Sequence, residues 1–352
     1  METVSPFSDR TLQLVVLVTF VILGCALVFT FVAGWLRTRN IREDRRWTYL
    51  EHIWEPILFA ILTGERRERE IYARVLRKDR RRFVTFLIRY ARQLKGVEQD
   101  TVLRLAAPYL EGIAEDVRHR SPEVRASALQ ALGELSVTEY HAEFLHGLKD
   151  PSLLVTMIAI QALARHGDPD DAKKVLQVLD RFQHWNIGHL STILASMGQT
   201  CAPILRAALT DSTRPPRIRA VMARTLASLT DVGAADVGSQ MLQSESDTDL
   251  VVALLALIEK VGGPEQLPAV RGLLHSPDHA VRALAVTTLA RIGTAEDAGY
   301  IRAALDDGSN WVLLHAVRGL EEMGATNLLT EVADSEHAGA IAAREVLWRE
   351  QA

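Results

Sequence analysis

Three patterns of apolar and polar positions follow one another along the chain. Residues 11–36 read TLQLVVLVTFVILGCALVFTFVAGWL, without a charge or a proline. At ~1.5 Å per residue such a run makes a helix of roughly 39 Å, longer than the ~30 Å hydrocarbon core of a bilayer, and this predicts a tilted transmembrane helix. Residues 37–95 then mix dense charge with apolar residues at helical spacing: Ile71, Tyr72, Val75, Leu76, Phe83 and Phe86. From about residue 96 the apolar positions fall into a long-period repeat.

That period comes from aligning 121–135 (SPEVRASALQALGEL), 150–167, 186–198, 215–229, 247–263, 278–293 and 309–324. The first apolar anchors are Val124, Val155, Ile187, Ile218, Val251, Val281 and Val312, spaced 31, 32, 31, 33, 30 and 31 residues apart. Each unit opens on proline or a small polar residue, as helix starts require. Apolar residues follow at i, i+3, i+4, i+7 and i+8, as in Val281, Leu284, Ala285, Thr288 and Leu289. Gly167, Gly263, Gly293 and Gly324 come 12 residues after their anchors, where a helix C-cap is expected. A second helix follows in each unit, as at 294–308. One such hairpin cannot bury its apolar face alone, so stacked hairpins are predicted to share one continuous core.

The Asp-Pro or Ser-Pro openings, Val-Arg at 124–125 and 281–282, Ile-Arg at 218–219, and the Ala/Leu run closing on glycine resemble HEAT repeats. The resemblance covers roughly 100–350. It implies an all-α, HEAT-like α-solenoid of about seven helical hairpins. The unit at Asn186 departs from it, lacking the Pro-Val-Arg opening and carrying His184, Trp185 and His189. Residues 71–94 and 102–117 are expected to be divergent cap helices, and the C-terminal EHAGAIAAREVLWREQA a closing helix. The predicted organisation is a short extracytoplasmic N-terminus (1–10), a transmembrane helix (11–36), basic amphipathic juxtamembrane helices (37–95) and the solenoid (96–352).

Charge sharpens this division. The total is −4, yet residues 37–95 hold 17 Lys/Arg against 8 Asp/Glu. With −1 on 1–36, the array itself carries −12. Basic flanks stay cytoplasmic, which places the bulk of the chain inside and the N-terminus outside a cell membrane crossed once. A cleaved signal peptide would have a shorter apolar core of about 7–15 residues. Ala26, Thr30 and Gly34 fall four apart, a spacing that fits both a helix-pairing face and the ordinary abundance of small residues in such helices. Arg37, Arg39, Arg42, Arg45, Arg46, Arg80, Arg81 and Arg82 are candidates for contact with anionic headgroups, or form a solvated face. The acidic array opposes nucleic-acid binding.

Motifs for chemistry are scarce. No phosphate-binding glycine loop, nucleophile elbow or Cys-x-x-Cys occurs, and Cys25 and Cys201 are the only cysteines. His141 and His146 are five apart, so they diverge by about 140° on a helix. His275 and His279 are separated by Pro277. HEAT-like families include a lysine-modifying hydroxylase, bilin lyases and DNA glycosylases. The hydroxylase binds iron through His-Glu dipeptides, and none of the eleven histidines here precedes a glutamate. No cofactor, metal or catalytic residue is assigned, and a small-molecule substrate is not expected.

The expected function is a non-catalytic membrane-anchored scaffold that binds a membrane-associated protein. The alternatives are a lyase-like cofactor binder and a sensor of anionic lipid. Five positions after each anchor stand Leu129, Ile160, Thr192, Ala223, Ala256, Val286 and Val317. One further on are Gln130, Gln161, Ile193, Arg224, Leu257, Thr287 and Arg318. The first row either lines the concave face or packs between repeats. Gln130, Gln161, Thr192, Arg224, Leu257, Thr287 and Arg318 are the candidate partner-binding residues. The recurrent Arg125, Arg219 and Arg282 are expected to tie neighbouring repeats through aspartates or backbone carbonyls.

Overall fold

Short polar caps fix where the long helices of the array begin. The Asp278 carboxylate accepts the backbone N–H groups of Ala280 (2.7 Å) and Val281 (3.4 Å), Asp247 that of Leu250 (3.0 Å), and the Asn186 side chain that of His189 (2.9 Å). Such caps satisfy donors that a helix start leaves open. Pro122 and Pro216 stand first in their helices, where a missing N–H costs nothing.

The structure, a computed structural model, describes the backbone of residues 9–135 and 138–351. The side chains of 9–13, 15, 33, 36, 39–43, 138 and 349–351 lie outside the described set. All regular structure among the described residues is helical. The chain divides into two units, Met1–Glu111 and Gly112–Ala352.

The first unit holds α1 (Asp9–Leu62), α2 (Arg69–Tyr72), α3 (Arg80–Ala91) and most of α4 (Val97–Asp116). The transmembrane helix expected over 11–36 is corrected: no helix among the described residues is long and apolar enough to cross a membrane. Residues 11–36 instead open α1, which continues through Arg45 and Arg46 and past Pro56 to Leu62. The later part of α1 is docked on protein. Trp54, 1% exposed, meets Phe83 edge-on at 5.1 Å and Phe86 at 5.6 Å, and Tyr109 of α4 meets Phe83 at 5.5 Å. Between α2 and α3 the chain leaves the α-helix, and there the buried Asp79 carboxylate turns to Arg46 (Nε–Oδ1 3.0 Å, Nη2–Oδ2 2.6 Å).

Among the described residues the second unit holds seven helix pairs: α5 (Pro122–Glu134) with α6 (His141–Leu148), α7 (Leu153–His166) with α8 (Pro169–Val178), α9 (Ile187–Ala195) with α10 (Ala202–Thr210), α11 (Pro216–Ser228) with α12 (Ala234–Leu242), α13 (Thr248–Val261) with α14 (Leu267–Gly272), α15 (His279–Ile292) with α16 (Ala298–Ala303), and α17 (Asn310–Glu322) with α18 (Thr326–Ala333). The closing helix is α19 (Ala340–Gln351). First helices pack on first helices along the stack. Eight residues after each first-helix cap stand Leu129, Ile160, Leu194, Ala223, Leu255, Val286 and Val317, none more than 1% exposed. This row is the seam between repeats, and burying it is what a lone hairpin lacks.

The second helices are less regular than expected. Residues 294–308 form a 3₁₀ turn (Ala295–Asp297), the short α16, and a second 3₁₀ turn (Ala304–Asp306). Glycine closure also varies. Gly167 caps α7 in the left-handed region (φ 66°), and a Cβ there would stand 2.9 Å from the Met197 carbonyl oxygen, whereas Gly293 is at φ −75°. Thr230 adopts φ 53°, a region that disfavours a β-branched side chain. Thr230→Gly is expected to raise stability by about 0.5–1 kcal/mol, the relief of left-handed strain less the added chain entropy. Denaturant unfolding of the two proteins checks this, and an unchanged or lowered midpoint would count against strain at that turn.

Candidate binding face of the repeat array

The recurrent arginines are used internally. The Arg282 guanidinium donates to both Asp307 oxygens (2.6 and 2.8 Å) and to the carbonyls of Ser276 (2.8 Å) and Pro277 (3.1 Å). Asp307 in turn accepts the N–H of Ser309, the cap of α17 (2.8 Å). Arg125 repeats the arrangement with Asp150 (2.7 and 2.8 Å) and the carbonyls of His119 and Arg120, and Asp150 accepts the N–H of Ser152, the cap of α7. Arg219 pairs with Glu245 (3.1 Å), which receives the N–H of Asp247, the cap of α13. Each arginine thus joins the start of one first helix to the start of the next. Between α7 and α9 the connection is reversed: Arg181 reaches back to Thr156 Oγ1 and the Pro151 carbonyl (both 3.1 Å).

Consumption of these cations and acids leaves one face of the first helices open to solvent. Nine residues after each cap stand Gln130, Gln161, Ala195, Arg224, Ala256, Thr287 and Arg318, all exposed or half-buried. One of the candidate positions needs correcting. Leu257 is fully buried, because the register of α13 counts from its cap Asp247 and makes Leu250 the first anchor. Ala256 takes its place on the face. Thr192 is exposed on α9, one turn before Ala195.

Charges on this face are partly paired across repeats: Glu134 with Arg165 (3.1 Å), Arg217 with Asp249 (2.7 Å) and Arg291 with Glu322 (3.2 Å). Arg224, Lys260 and Arg318 make no ion pair among the described residues. Arg224 and Lys260 border an open hollow of about 200 Å³ between α9, α11 and α13, with Ser191, Ala227, Ser228, Ala256 and Glu259 around it. Two repeats on, Trp311 (55% exposed) and Leu314 (41%) project from α17. Trp311 meets His315 edge-on at 4.9 Å, and His315 Nδ1 lies 2.7 Å from Thr287 Oγ1. Burial first, and then the Arg318 charge, hold the His315 imidazole below its ordinary pKa.

The histidines singled out by spacing do not come together as a metal centre. His141 bonds Asp171 (2.7 Å), while His184 and His189 are exposed. No group of three or more His, Cys, Asp or Glu among the described residues is placed to hold a metal ion. Cys201 is buried and Cys25 exposed, both as free thiols. Of the candidate lipid-facing arginines, Arg46 and Arg82 are drawn to Asp79 (2.6 and 3.4 Å). Arg37, Arg45, Arg80 and Arg81 are exposed, and the side chains of Arg39 and Arg42 lie outside the described residues.

Stacked helix pairs in register, tied start to start, define a helical-repeat array of the α-solenoid class. The sequence model described as HEAT repeats matches residues 110–187 and 236–321, so both the early and the late part of the array carry that repeat. No curated protein matches the chain. Among solved structures, the complex of CpcE and CpcF of phycocyanin lyase from Nostoc sp. PCC7120 is similar at 15% identity and TM-score 0.32, over 69% of this chain and 88% of that one. Human deoxyhypusine hydroxylase in complex with glycerol is similar at 14% and 0.32, over 79% and 98%. The designed armadillo repeat protein YIII(Dq)4CqI is similar at 16% and 0.32, over 61% and 99%. These are loose likenesses, and the fold assignment rests on the repeats themselves.

Proposed function

We propose that the chain is a HEAT-like scaffold that binds an acidic segment of a partner protein along the exposed face of its first helices. The observation that carries this reading is the set of cations left over there. Where neighbouring repeats could neutralise a charge, they do so at Arg165, Arg217 and Arg291. Arg224, Lys260 and Arg318 stay unpaired on an array that is acidic overall. An acidic segment satisfies them, while Trp311 and Leu314 offer the kind of aromatic and aliphatic anchor that concentrates binding energy. Hydrogen-bonding Gln130 and Gln161 extend the same face toward the first repeats.

The test is selection of random-sequence displayed peptides on the full chain. Enrichment of Asp and Glu beside an apolar residue is expected. The Arg224→Glu, Lys260→Glu, Arg318→Glu variant is expected to bind the selected peptides about tenfold more weakly, the sum of three exposed pairs. Peptides without acidic enrichment, or with equal affinity for the variant, would refute the reading.

A further inference from the structure

The first unit carries a second surface, independent of the repeat array. The turn between α2 and α3, residues 73–79, is pinned to α1 at both ends. Trp54 Nε1 donates to the Arg74 carbonyl (3.4 Å), and Asp79 is held by Arg46. Between these pins Arg74, Leu76, Arg77 and Lys78 face solvent, followed by exposed Arg80 and Arg81 at the start of α3. Leu76 is 56% exposed with an extended backbone, an aliphatic side chain amid cations.

Asp79 is the only acid between Ile71 and Val97. It is fully buried, and its hydrogen bonds from Arg46 outweigh burial and hold its carboxyl below the usual range. The exposed charge of this stretch is therefore wholly positive. The Arg46–Asp79 pair also sets the basic turn at a fixed place along α1, about 16 Å beyond Trp35 at ~1.5 Å per residue.

From these observations we infer that the 73–81 turn is a docking surface for an anionic bilayer. Headgroup phosphates meet Arg74, Arg77, Lys78 and Arg80, and Leu76 enters the interface between them. Charge complementarity picks this occupant, since a turn whose own exposed charges are all cations suits a plane of phosphates.

The probe is a set of preformed vesicles, phosphatidylcholine alone or with phosphatidylglycerol, floated with the full chain. The expected result is stronger partitioning to the anionic vesicles, weakened by added salt. The Arg74→Gln, Arg77→Gln, Arg80→Gln variant should lose about a hundredfold in partitioning to anionic vesicles, near fivefold per cation, with its helical circular dichroism unchanged. Leu76→Ser should weaken binding to both kinds. Equal binding to both vesicle types, no binding to either, or salt-insensitive binding by the unaltered chain would each overturn the inference. Should the triple variant fail to fold, the salt series on the unaltered chain still decides.

Discussion

Trp54→Ala is expected to destabilise the first unit by about 3–5 kcal/mol, the range for removing a buried large aromatic side chain. Trp54 joins three elements of that unit. It rests on Phe83 and Phe86 of α3 and hydrogen-bonds the turn at Arg74. Tyr109 of α4 reaches the same ring system through Phe83. Alanine leaves a cavity that fixed helices close only in part, and it frees the start of the basic turn. Hydrogen exchange reads the effect: amides of α3 should lose protection, while those of α13 keep theirs. The exposed Trp311 is the control, and its alanine variant should shift unfolding by no more than about 0.5 kcal/mol. Unchanged protection of α3 in Trp54→Ala would refute the aromatic core.

Second in size is the tie between α15 and α17. Asp307→Asn is expected to cost on the order of 2–3 kcal/mol, less than for a fully buried pair because both side chains keep some exposure, 18% for Arg282 and 14% for Asp307. The variant leaves the guanidinium facing a neutral amide and weakens the acceptor for Ser309. Exchanging the exposed pair partner Asp249 for Asn should cost less than about 1 kcal/mol. The pH dependence carries a sign. Hydrogen bonds from Arg282, against the opposing effect of burial and helped by the Ser309 N–H, hold the Asp307 carboxyl below its ordinary value. Its contribution is full above about pH 4, the unfolded value, and is lost as pH falls through the lower folded value. Denaturant unfolding should therefore show the gap between the unaltered chain and Asp307→Asn narrowing below about pH 4. A constant gap would contradict the pair's role.

The repeats were legible because stacking imposes a single demand, one buried seam per hairpin, at every step of the array. The register was harder to read. At α13 both Leu250 and Val251 are buried, so hydropathy offers two anchors and only the cap Asp247 chooses between them. At α9 the expected anchor Ile187 lies in a late-starting first turn and is half-buried. The cap-counted rows put Leu194 and Leu255 in the seam, a signal present in the sequence at Asn186 and Asp247. The break in 71–94 could not be read locally, since it depends on Arg46, 33 residues before Asp79. The aromatic core of the first unit was hidden for a similar reason. Trp54, Phe83 and Phe86 sit among so many arginines that the segment resembles a polar surface until tertiary contacts sort the two sets. The leftover cations of the proposed binding face became visible only once the paired ones were known.

Distances between spin labels on the first-helix face test the stacked array most directly. Labels go on cysteines placed at Gln161, Arg224, Thr287 and Arg318, with Cys25 replaced by serine and the buried Cys201 retained. Helix axes step by about 8–10 Å, so the separation from position 161 should be roughly 16–20 Å at 224, and should grow at 287 and again at 318 toward ~40–50 Å, less any curvature. A separation from 161 to 318 no longer than that from 161 to 224 would contradict the array and the binding face built on it.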